Sequence, residues 1–80
     1  MVIDKKFIYK DGKSFDADVY FNQHKYTIVV SYPAYQEKDS NKCAIRITPS
    51  NSRGGYFLLL HDDRDWSIEA HLEYVLKSSF

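Results

Sequence analysis

The chain has little of what usually staples a small domain. It holds one cysteine, Cys43, so no internal disulfide can form. A solitary thiol also points to a reducing compartment. Three glycines and two prolines are too few for a collagen-like or low-complexity chain. No apolar run approaches the ~20 residues of a membrane helix. The opening "MVIDKKFIYKDG" lacks an apolar h-region, so no signal peptide is expected. These absences together predict a cytoplasmic protein that neither spans nor binds a membrane.

Net charge is also missing, with eleven basic residues against eleven acidic ones. The balance is uneven along the chain. Residues 1–55 carry nine Lys/Arg and six Asp/Glu, or +3; residues 56–80 carry two and five, or −3. Such an asymmetry bears on what a partner would find attractive.

Aromatic residues are plentiful at 16%, with seven tyrosines among them. Large amphipathic rings build a core from few residues and also suit binding surfaces. The 80 residues are read as a single domain, 1–80, with a sheet over 2–61 and a helix over about 66–77. A domain of this size buries only ~60–65% of its unfolded surface, which leaves its stability modest.

Alternation supplies most of the fold. In "SFDADVYF", Phe15, Ala17, Val19 and Phe21 point one way while Asp16, Asp18 and Tyr20 point the other. "YTIVVSY" continues with Tyr26, Ile28, Val30 and Tyr32 on one face, and Pro33 ends that ladder because it has no amide hydrogen. "CAIRIT" places Cys43, Ile45 and Ile47 inward. "AYQEKDSN" and "PSNSRGG" read as loops. "YFLLLH" is apolar on both faces, which predicts that both are covered. Asp11-Gly12 marks a hairpin with Gly12 left-handed, pairing Phe7 with Phe15 and Ile3 with Val19. A turn through residues 22–25 aligns Phe21 with Tyr26 and Val19 with Ile28. Ile68, Leu72, Val75 and Leu76 form one helical stripe, with Asp65 as N-cap. The expected fold is α+β: a five-stranded, mostly antiparallel β-meander followed by one C-terminal helix on one face.

Motifs for catalysis are sparse. His61, Asp62, Asp63 and His71 are the donors a metal would take, yet no compact His-x-x-x-His and no calcium-loop spacing is present. "SRGG" is too short for a phosphate loop and precedes a strand, so Arg53-Gly54-Gly55 reads as a connection. Cys43 behaves as a small core hydrophobe at an inward strand position. No enzymatic activity, metal or cofactor is expected.

Binding is the alternative, and the acidic end offers a surface for it. Asp62 and Asp63 precede the helix, while Glu69 and Glu73 lie off its apolar stripe beside Trp66 and Tyr74. An aromatic ringed by charge is what protein interfaces use as an anchor. The favoured reading is a non-enzymatic inhibitor or immunity-type protein, phage or bacterial, that docks this surface on a basic protein partner. Stand-alone domains of this size and make-up include anti-CRISPR-like and other anti-defence proteins. A second reading uses the other sheet face, where Tyr20 would stack bases near Arg46 and Arg53. In element order alone, strands followed by one helix resemble the PC4-like and Pur-type single-strand DNA-binding domains. That resemblance implies a nucleic-acid partner, although Asp16 and Asp18 on the face would repel phosphate. A third is a structural homo-oligomer, since a small chain gains core by pairing with a copy of itself.

Overall fold

The computed structural model describes residues 1–34, 40–51 and 53–79. Five strands, β1 (Val2–Ile8), β2 (Phe15–Phe21), β3 (His24–Ser31), β4 (Lys42–Pro49) and β5 (Phe57–Asp62), precede one helix, α1 (Ile68–Ser79). The sheet runs in chain order, β1-β2-β3-β4-β5, and every neighbouring pair is antiparallel. This is the expected βββββα architecture. Residues 35–39, in the expected polar loop between β3 and β4, lie outside the described residues, as does Ser52 in the loop before β5.

The core follows the alternation. Phe15, Ala17, Val19, Phe21, Tyr26, Ile28, Val30, Cys43, Ile45 and Ile47 are buried on one sheet face, and Leu72 and Leu76 of α1 close over them. Ile68 and Val75 pack at the margin of the same cluster. Branched residues at every second strand position place a continuous apolar surface against one helical stripe, so the helix docks on one face only.

Turn geometry corrects two registers. The β2–β3 turn is two residues long, with Asn22 at φ 50° and Gln23 at φ 66°. A pair of left-handed residues matches the twist of the flanking strands. Phe21 therefore faces His24 and Val19 faces Tyr26, a shift of two positions from the expected pairing that leaves every side chain on its expected face. In the first hairpin Gly12 is left-handed, at φ 76°. Its loop is fixed by Asp11, whose carboxylate accepts the Lys13 and Ser14 amides and the Ser14 hydroxyl. These bonds hold the Asp11 carboxyl below the usual carboxylate range. Ile3 faces Val19 as expected, but the register shifts between Asp4 and Phe7, so Ile8 meets Phe15 and Phe7 meets Asp16. Phe7 thus lies on the outer face, its ring edge-on to Tyr9 at 5.1 Å.

The expectation that β5 is covered on both faces is overturned. Leu58 and Leu60 are exposed, because α1 covers only the face that carries Leu59 and His61. The helix starts two residues late and is capped by Ser67, whose hydroxyl accepts the Ala70 amide at 3.1 Å. Asp65 instead donates its own amide to the Asp62 carbonyl in the preceding turn.

Candidate partner-binding surface

The segment joining β5 to α1 is built by its polar side chains. Asp62 accepts the Arg64 amide at 2.9 Å and grips the Arg64 guanidinium through both oxygens, at 3.0 and 2.6 Å. Arg64, by side-chain and backbone hydrogen bonds, holds the Asp62 carboxyl well below the usual carboxylate range. The Asp63 amide donates to the Asn41 carbonyl at 2.9 Å, which turns its carboxylate back over the sheet. There it accepts the Tyr32 hydroxyl at 2.8 and 2.9 Å. Burial, followed by the bond to Asp63, raises the Tyr32 phenol far above its ordinary value.

His61 sits beneath, fully buried. Its Nε2 lies 3.1 Å from Asp63 Oδ1, an ion-pair distance without the alignment of a hydrogen bond. Its Nδ1 lies 2.9 Å from His71 Nδ1 on α1. One nitrogen of that pair must donate and the other accept, so the two rings share one proton at this contact. Burial, with the neighbouring His61, lowers the affinity of His71 for a second proton. On its other side His71 is stacked by Trp66, with centroids 4.4 Å apart and planes inclined by 25°. Trp66 in turn lies 5.5 Å from the Tyr74 ring.

The predicted residues therefore divide. Trp66, at 37% exposure, and Tyr74, at 60%, come together as an exposed aromatic pair. Glu69 and Glu73 are on the same helix, and Glu73 lies 3.7 Å from Lys77 one turn on. Asp62 is committed to Arg64, and Asp63 to Tyr32 and His61. With Asp62 paired to Arg64 and Glu73 to Lys77, the −3 of residues 56–80 comes to rest on Asp63, Asp65 and Glu69.

Tyr32 and His71 belong to this arrangement; sequence reasoning weighed His71 only as a metal donor and Tyr32 only as an inward strand residue, and placed neither in the partner-binding surface. A signal for the histidines existed. His61 continues the inward phase of Phe57 and Leu59, and His71 falls three residues after Ile68, beside the apolar stripe. Both phases point at the core, where two imidazoles have to satisfy one another.

Cys43 is fully buried on β4 opposite His61, and burial pushes its thiol up. A groove of about 560 Å³, lined by residues that include Gln23, Tyr26 and Phe57, opens at the other end of β4 and β5.

The alternative nucleic-acid residues are spread apart. Tyr20 pairs with Lys25 on the outer face, whereas Arg46 pairs with Val29 and Leu58, four residues further along β3. Asp18 lies in the row between, 3.8 Å from Lys25, and Asp16 lies in the Arg46 row itself, across Val29, where it accepts the Tyr9 hydroxyl at 2.6 Å. Arg46 sits over the Tyr56 ring at 5.6 Å, and Arg53 is exposed in the loop before β5. Among the described residues no group of three metal-ligating side chains converges, and no helix is long and apolar enough to cross a membrane. No protein family, curated protein or solved structure matches the chain.

Proposed function

We propose that this chain is a non-enzymatic, cytoplasmic binding protein of the inhibitor or immunity type, which docks the Trp66–Tyr74 surface on a basic protein partner. The observation that carries the proposal is the layered aromatic stack. Exposed Trp66 rests on His71, which is itself held against buried His61. A ring fixed before binding loses little freedom on binding, and this is what makes an aromatic a strong anchor. Glu69 and Asp65, with no ion pair among the described residues, supply the charge that attracts lysine or arginine. The Trp and Tyr faces supply sites over which such cations lie.

The reading is tested by capture from host lysate, with and without nuclease treatment, with wild type and with a Glu69→Lys/Tyr74→Ala double variant. Neither side chain enters the core, so the variant keeps its fold. A single basic protein held by wild type and released by the variant is expected. Retention of nucleic acid that nuclease removes, equally by both proteins, would transfer the working surface to the sheet.

A further inference from the structure

We propose that β5 is a pairing edge whose occupant is β5 of a second copy of this chain, joining two five-stranded sheets edge to edge. β5 is last in the sheet order, and among the described strands only β4 lies beside it. The two sheet edges are built differently. β1 breaks register between Asp4 and Phe7, and Lys6 in that break lays its ammonium over the Phe15 ring at 4.3 Å. Bulges and lysines of this kind discourage pairing with another strand. β5 has no such guard. It pairs with β4 without interruption from Phe57 to Asp62, and Tyr56 to Leu60 contain no charge, proline or glycine.

The same run exposes its side chains: Tyr56 by 54%, Phe57 by 46%, Leu58 by 64% and Leu60 by 57%. These four expose roughly 400 Å² per chain, of which edge pairing covers the flanks turned to the second copy; the contact is smaller than the ~1,200 Å² of a small specific interface, and main-chain hydrogen bonds carry much of it. Tyr56, Leu58 and Leu60 form one exposed apolar row on the outer face, a kind of patch that often serves as a contact site.

Self-pairing fits better than a foreign strand because the run matches its own reversal. In an antiparallel pairing centred on Leu58, the outer face sets Leu58 against Leu58 of the second copy and Tyr56 against its Leu60. The inner face sets Phe57 against Leu59 of the second copy. Every exposed apolar residue of the strand meets an apolar one, mostly as aromatic–aliphatic pairs, which stabilise sheets. Opposite residues share a face, so both helices lie on the same side of the joined sheet. The chain carries no net charge near neutral pH, so two copies approach without mutual repulsion.

Sedimentation equilibrium of the full chain, from low to high micromolar concentration, tests this directly. Wild type is expected to reach twice the 9.4 kDa of one chain. Leu58→Lys, which sets like charges together on the symmetry axis, is expected to return it to one chain with an unchanged circular dichroism spectrum. Leu58→Cys is expected to cross-link to itself under mild oxidation, and Leu60→Cys, which would face Tyr56, is not. A single-chain mass at every concentration overturns the proposal and leaves the edge to a foreign strand. A dimer indifferent to Leu58→Lys overturns it in favour of another surface.

Discussion

His61 Nδ1 and His71 Nδ1 meet at 2.9 Å, and this contact joins the end of the sheet to the first turn of the helix. One proton between them makes a hydrogen bond; a second would place two N–H donors face to face and leave one ring positively charged. Trp66 lies on the far side of His71 and Asp63 beside His61. The exposed aromatic surface is thereby tied to the protonation of a half-buried ring.

The pH dependence follows from the lowered affinity of His71 for protons. In the unfolded chain this histidine titrates near ~6.5, and in the folded chain lower, through burial and the nearby His61. Between those values the unfolded state binds more protons, so stability rises with pH. Full stability is expected above pH ~6.5 and is lost as pH falls towards the folded value. The urea midpoint should drop between pH 7 and 5, and His71→Gln should flatten that drop. A wild-type midpoint flat over this range would contradict the arrangement.

Tyr32 carries the opposite sign. Its phenol is raised above the ordinary value of 10 by burial and by the bond to Asp63. Its contribution is fully present below pH ~10 and is lost as pH rises above it, because only the unfolded chain ionises readily. Tyr32→Phe should cost ~1.5–3 kcal/mol at neutral pH, the range for a hydrogen bond to a charged group. It should also reduce the alkaline loss. Urea titrations at pH 7 and 11 read both effects.

Helix capping separates two serviceable residues. Ser67→Ala should cost ~1 kcal/mol, since the Ala70 amide loses its acceptor. Asp65→Ala should stay within ~0.5 kcal/mol, as expected of an exposed side chain away from such features. Equal losses from the two substitutions would contradict the position of the cap.

The sequence resolved faces better than ends. Val19, Ile28 and Ile45 alternate strictly, and burial of one face leaves no freedom in which way they point. Turn length was less legible. Asn22 and Gln23 both adopt φ above zero, which glutamine does not announce, so a tight turn was hidden in an ordinary dipeptide. Charge at 62–69 misled differently. Asp65 and Ser67 are both good caps, and the choice depends on Asp62 closing a turn with Arg64 and Asp65 first. The exposure of Leu58 and Leu60 was illegible because an apolar run looks the same in sequence whether one of its strand faces or both are covered.

The β2–β3 turn supplies a stabilising substitution. Gln23→Gly relieves a left-handed φ of 66° and should stabilise by up to ~1 kcal/mol, the reverse of the usual cost of glycine. Gly12→Ala should destabilise even though nothing lies within 4 Å of the added carbon, because φ is 76°. Thermal melts should move in opposite directions for the two.

The most direct test of the working surface uses Trp66, the one tryptophan of the chain, as its reporter. With the basic partner recovered by capture, its titration into the protein should change the Trp66 emission and saturate at a fixed ratio. The affinity should weaken as salt is raised, and fall at least ~10-fold, or about 1.4 kcal/mol, in Tyr74→Ala/Glu69→Lys. Binding at full strength by that variant, with Trp66 emission unmoved, would contradict the account.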